Sequence, residues 1–168
     1  MKRPLAWFLA LATLLGCASP KGSADRNATG VRPEFVVPNR ANSPFSSVVR
    51  VGNLLFVAGQ LGTDTAGLAK GGTGPETTAA MKRIAQLLVQ AGSSLDRVAK
   101  CTVMLADMKD WAVMNEAYIA FFPQRRPARS SFGTTGLAQG GHVEIECIAA
   151  VGDGPPPAAA PMGSPSVL

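Results

Sequence analysis

The sequence predicts one α+β domain: a single sheet with two helices on one face, its elements ordered ββαβαββ. Three observations predict it. Two apolar strand-like runs flank Gly52-Asn53, a pair suited to a tight hairpin. Two stretches of helical character follow, with a strand-like run between them. The segment Val143 to Val151 then alternates in the manner of a strand, Val143, Ile145 and Cys147 pointing one way and Glu144, Glu146 and Ile148 the other. At 168 residues the chain is long enough for one domain with a real core.

The hairpin is read as Val48 to Gly52 and Leu54 to Gly59. Leu61 to Gly74 is rich in Gly and Thr and is expected to be a long loop. Its Gly71-Gly72-Thr73-Gly74 lacks the Gly-Lys-Ser/Thr ending of a P-loop and the spacing of a dinucleotide fingerprint, so it reads as a flexible lead-in. Pro75 suits the first turn of a helix. Met81, Ile84, Leu87, Leu88 and Ala91 form its core-facing stripe, and Gly92 ends it. Leu95 to Ala106 supplies the third strand. Asp107 or Asp110 caps a second helix, Trp111 to Phe122, which Pro123 stops. A fourth strand is expected near Ser130 to Thr135, and Val143 to Val151 is the last.

Two residues carry the candidate chemistry. A carboxylate in so apolar a strand as Val143 to Val151 is unusual, because burying an unpaired charge is costly. Either that face is wet or Glu144 has a partner, and Arg129 is the nearest cation able to make a planar, bidentate contact. His142 precedes Glu144 by two and would share its face on a strand, as a tuning neighbour or as a solvated strand end. Tyr118 and Trp111 fit helix packing better than substrate stacking.

Four ordered motifs give these residues a context. They are Pro44-Phe45-Ser46 with Val51 to Gln60, Val98 to Leu105 with Asp107-Met108, Trp111 to Phe122, and Pro127-Ala128-Arg129-Ser130 with Val143-Glu144-Ile145-Glu146. Together, from Pro44 to Val151, they resemble the Rid (RidA/YjgF) family of imine and enamine deaminases. The resemblance implies a chorismate-mutase-like fold that trimerises through the sheet's other face, with clefts between subunits. It implies hydrolysis of 2-imino and enamino acids to 2-oxo acids and ammonia, with no cofactor and no metal. Arg129 matches the family's carboxylate clamp, and Glu144 matches the group that orients water and moves protons. Phe45, Gly59, Asn115 and Ser131 fall at substrate-binding positions. The two charged groups must converge on a cavity at the seam between chains; on opposite sides of the sheet, they leave the chemistry nowhere to happen.

The chain also departs from the family pattern. Phe45 stands where a tyrosine is usual, Ala58 where a serine is usual, and Ser131 where a cysteine is common; Asn115 is retained. Two missing hydroxyls weaken substrate orientation, and positioning carries much of a rate. A non-catalytic trimeric module binding small carboxylates such as 2-oxo acids is therefore the alternative function, and a structural or chaperone-like envelope protein a third.

The ends suggest an address. Residues 1–16 combine Lys2 and Arg3 with an apolar run from Leu5 to Leu15, the outline of a bacterial secretion signal too short for a comfortable membrane span. Leu14-Leu15-Gly16-Cys17 resembles a lipobox, so Cys17 is the expected lipid attachment and the only membrane contact. Periplasm or the cell-envelope membrane is the expected location. Residues 17–32 read as a flexible tether, 33–152 as the folded domain, and 153–168 as a disordered Pro/Ala-rich tail. Removing Lys2 and Arg3 lowers the net charge from +5 to +3. No basic cluster interleaves with aromatics, so nucleic acid is not an indicated partner. Cys101 and Cys147 read most simply as small buried hydrophobes, while an export route permits a disulfide if the two face each other closely.

Overall fold

The computed structural model describes residues 30–37 and 43–152. The expected signal segment, Cys17, the tether up to residue 29 and the C-terminal tail from residue 153 lie outside them. Within Val31–Leu168, the described strands are β1 (Glu34–Val37), β2 (Val48–Val51), β3 (Leu54–Leu61), β4 (Thr63–Asp64), β5 (Gly67–Leu68), β6 (Val98–Leu105), β7 (Ala128–Gly133) and β8 (Val143–Ala150). The helices are α1 (Thr73–Gln90) and α2 (Trp111–Ile119).

Six strands form one sheet in the order β1-β2-β3-β8-β6-β7. All pairs are antiparallel except β6 with β7. The predicted ββαβαββ frame is present, with additions. Strand β1 pairs with β2 outside the predicted set, because a short, exposed EFVV segment carries no alternating signal. The expected long loop contains the small β4–β5 hairpin. Helix α1 begins at Thr73, so part of the Gly-rich lead-in is helix. Helix α2 ends at Ile119, earlier than Pro123 alone suggests.

Each element has a local cause. Gly52, at φ 60°, makes the two-residue turn that pairs Val51 with Leu54. Gly92, at φ 77°, closes α1: its N–H donates to Val89 O and Ser93 N–H to Leu88 O, the two bonds of a Schellman cap. Asp107 accepts from Lys109 N at 2.9 Å and starts the short turn ahead of α2. The core gathers Leu55 and Val57 of β3, Val103 of β6, Ile145 of β8, and Met81, Ile84 and Leu88 of α1, as the helical stripe predicts. Met114 and Tyr118 join it from α2.

Cys101 and Cys147 stand directly opposite each other on β6 and β8, with Cα atoms 4.1 Å apart, and are joined as a disulfide. The simplest expectation, two separate buried thiols, is therefore corrected. The pairing register decides it, and register is a long-range property that local sequence does not state.

Candidate active site

Register fixes which side chains share a face. Cys101 lies opposite both Arg129 and Cys147, and Val103 opposite both Ser131 and Ile145. Arg129 and Ser131 therefore face the helices. Met104 lies opposite both Glu144 and Phe132, so Glu144 faces the other way.

On the helix side, Arg129 is held by α2. Its Nη2 donates to Asn115 Oδ1 at 2.8 Å, and its Nη1 approaches Met114 Sδ at 3.9 Å. Its Cζ lies 4.7 Å from the Tyr118 ring centroid and 5.8 Å from that of Trp111. Trp111, Asn115 and Tyr118 are spaced four and three residues apart, which puts all three on one helical face. Tyr118 packs in the core as expected, and it and Trp111 also serve as platforms for the guanidinium. The 3.6-residue period of the candidate helix was the signal that would have found them. Burial pushes the Tyr118 phenol up from 10.0 to about 12, and the Arg129 charge partly counters that rise. Its hydroxyl and that of Ser131 are buried without a partner among the described residues.

On the free side, the sheet is bulged between Val57 and Gln60 of β3, opposite β8. The bulge puts Gly59 beside Glu144, where a methyl group would overlap the carboxylate. Ala58 lies on the same bulge and lines a cavity of about 330 Å³ with Ser46, Phe56, Lys100, Thr102 and Glu146. Phe45, 55% exposed, lies just before β2. Among the described residues the Glu144 carboxylate has no hydrogen-bond donor.

The structure therefore brings together two groups of the expected residues. Arg129 meets Asn115, with Ser131 on the same strand and face; Glu144 meets Gly59. It does not bring Arg129 to Glu144. The expectation that the arginine partners this carboxylate fails within a chain, because an even number of residues must separate two strand positions that share a face, counted through the register. Within one chain the two groups lie on opposite sides of the sheet, the arrangement expected above to leave the paired chemistry no place.

His142 is also relocated. It precedes β8, and its ring Nδ1 meets Glu76 Oε1 at 2.7 Å instead of facing Glu144. Among the described residues no group of three or more His, Cys, Asp or Glu side chains is arranged to hold a metal, and no helix is long and apolar enough to cross a membrane.

Residues 37–151 match the family model described as Endoribonuclease L-PSP. The chain is 39% identical over 114 residues to the 2-iminobutanoate/2-iminopropanoate deaminase of Bos taurus, covering 67% of this chain and 83% of that one. It is similar to the crystal structure of RidA from the Antarctic bacterium Psychrobacter sp., with TM-score 0.63 and 34% identity over 72% of this chain and 98% of that one. It is also similar to E. coli TdcF with bound serine, with TM-score 0.63 and 26% identity over 73% and 98% of the two chains.

Proposed function

Because the chain belongs to the Rid family, whose model spans residues 37–151, we propose that it hydrolyses reactive 2-imino and enamino acids to 2-oxo acids and ammonia. The carrying observation is the guanidinium of Arg129, fixed by Asn115 and two aromatic rings with only a thioether near its second terminal nitrogen. That nitrogen is free to hold a substrate carboxylate in a directional contact. Bound serine in the E. coli TdcF structure is a small carboxylate of the same kind.

The reaction needs few parts. A protonated imine is already electrophilic at carbon. Glu144 takes a proton from water as its oxygen bonds to that carbon, giving a tetrahedral aminoalcohol. The carboxylic acid then returns the proton to nitrogen. The C–N bond breaks, ammonia leaves with the bonding pair, and Glu144 takes the hydroxyl proton as the carbonyl of the 2-oxo acid forms, then passes it to the ammonia. Protonated imine plus water thus gives 2-oxo acid plus ammonium.

Arg129 and Glu144 lie on opposite faces of the sheet; in this reading the site is built from two chains, Arg129 of one beside Glu144 of its neighbour. The free face supports such packing: it exposes Leu54 and Phe56 beside Val49 and Ile148, more apolar surface than an isolated sheet leaves to water without reason. A homotrimer is the assembly of this reading. Export, attachment through a lipidated Cys17 and residence in the periplasm or envelope membrane complete it, and the buried Cys101–Cys147 disulfide is consistent with an oxidising compartment.

Complementation tests the reading. Arg129→Ala and Glu144→Ala chains are each expected to be inactive on a 2-imino acid generated by an amino-acid oxidase. Unfolded together and refolded as mixed oligomers, they should regain about a quarter of wild-type activity, since random mixing leaves that share of clefts intact. No recovery, with both variants oligomeric, would falsify the two-chain site.

A second reading is favoured by Phe45 and Ala58, which bring no hydroxyl to the free face. In it the same oligomer binds 2-oxo acids without turnover. Heat stabilisation by such acids, lost in Arg129→Ala and with no ammonia released, would identify it.

A further inference from the structure

We infer that Glu76 is a positioning residue for Glu144, acting through the backbone at the start of β8. This rests on the deaminase reading above, in which Glu144 handles the protons.

Glu76 lies in the first turn of α1 and is 1% exposed. A buried carboxylate needs partners, and the ones it has are all on His142. The His142 backbone N–H donates to Oε2 at 2.7 Å, and Nδ1 of the ring meets Oε1 at 2.7 Å. On its other side, the His142 carbonyl accepts from Ala106 N–H at 2.9 Å. Both polar groups of this peptide are therefore taken, two residues before Glu144.

The carboxylate can reach because α1 sits directly on backbone. A methyl at Gly62, one residue past the end of β3, would overlap the Glu76 main chain. Strand β3 is also where Gly59 makes room for the Glu144 carboxylate and where Leu61 pairs with Glu144. The helix start thus fixes the β3 end and the β8 start together, and these two segments define where Glu144 lies. Arg129 is outside this linkage, because α2 holds it on the opposite face.

The prediction separates two kinetic constants. Glu76→Asp keeps the charge and shortens the reach; Glu76→Gln keeps the reach and an oxygen that accepts from the His142 N–H. In the full chain, Asp should lower kcat by about tenfold to a hundredfold while KM stays within about twofold, and Gln should stay within about threefold of wild type, as misplacement of roughly an ångström allows. The carboxyl ¹³C resonance of Glu144, assigned by its loss in Glu144→Gln, should shift in Asp and hold in Gln. Unchanged kcat and an unmoved resonance in Asp overturn the inference. So does an Asp variant that does not fold, since the contact would then hold the domain together instead of aiming one strand. If the wild type shows no turnover, the deaminase reading falls, and the resonance alone decides the role of Glu76.

Discussion

Arg129 and Glu144 occupy one sheet but are held in opposite ways. The guanidinium is enclosed by its own chain: Asn115 bonds it at 2.8 Å, and Tyr118 and Trp111 flank it. The carboxylate is given space instead of partners. A bulge and a glycine clear room for it, and among the described residues it has no hydrogen-bond donor. A cation that must hold a ligand in one orientation gains from a rigid cradle. A carboxylate that must gain and lose a proton is hindered by permanent donors, which favour its charged form. Under the proposed reaction, the difference divides the labour between binding on the α2 side and proton transfer on the β3–β8 side.

The largest effect that tests this division is on Glu144. Glu144→Gln should lower kcat by about a hundredfold to ten-thousandfold, the usual worth of a positioned acid–base group, with KM little changed. Arg129→Lys should do the reverse in kind: a point charge replaces a fork, so KM rises by about tenfold or more. Steady-state kinetics on one 2-imino acid checks both. A KM effect from Glu144 and a pure kcat effect from Arg129 would break the comparison.

Next in size is the disulfide. Cys101 and Cys147 join β6 to β8, so the bond ties the strand bearing Glu144 to the neighbour of the strand bearing Arg129. It closes a separation of 46 residues. Reduction is expected to cost up to about 4 kcal/mol of stability through the freed unfolded chain. Denaturant melts with and without reductant measure it; coincident melts would show that no bond forms.

Much of this was legible in the sequence, and the losses share one cause. The hairpin at Gly52-Asn53, the α1 stripe and the alternation of Val143 to Val151 are local periodicities, and all are present. The two charged residues were singled out by chemistry: an arginine expected in a short turn, which the structure instead places on β7, and an acid in an apolar strand. What was not legible depends on register and on contacts between distant segments. The face of Arg129 follows from β7 pairing in parallel with β6, and the disulfide from Cys101 standing opposite Cys147. The Glu76–His142 contact joins residues 66 apart. Alternation shows which residues of one strand share a face. It does not show how two strands are aligned.

A smaller effect sharpens the free-face half of the comparison. Gly59→Ala adds a methyl where the Glu144 carboxylate lies. Gly59 is not among the glycines with positive φ, so alanine accepts its backbone and the effect is steric. The carboxylate must swing away, and kcat should fall by about tenfold to a hundredfold with little loss of stability. Kinetics beside a thermal melt check it; a large drop in melting temperature with normal kcat would show that the space matters for folding alone.

The smallest effect belongs to the α2 side and appears only at high pH. The Tyr118 phenol is raised from 10.0 to about 12, first by burial, against the opposing pull of Arg129. Below pH 10 the phenol is neutral in folded and unfolded chains alike, and it leaves stability independent of pH. Between about 10 and 12 the unfolded chain gives up its proton while the folded one keeps it. The unfolded state then binds fewer protons, so stability falls as pH rises, by on the order of 2 kcal/mol once pH passes the folded value. Tyr118→Phe removes this loss and also removes a buried hydroxyl that lacks a partner, a gain of about 1 kcal/mol at neutral pH. Denaturant melts at pH 8 and pH 11.5 should therefore show the variant slightly more stable at the lower pH and clearly more stable at the higher. Parallel curves for the two chains would mean that the phenol is already wet, and that the enclosure of Arg129 on this side is looser than its short contacts indicate.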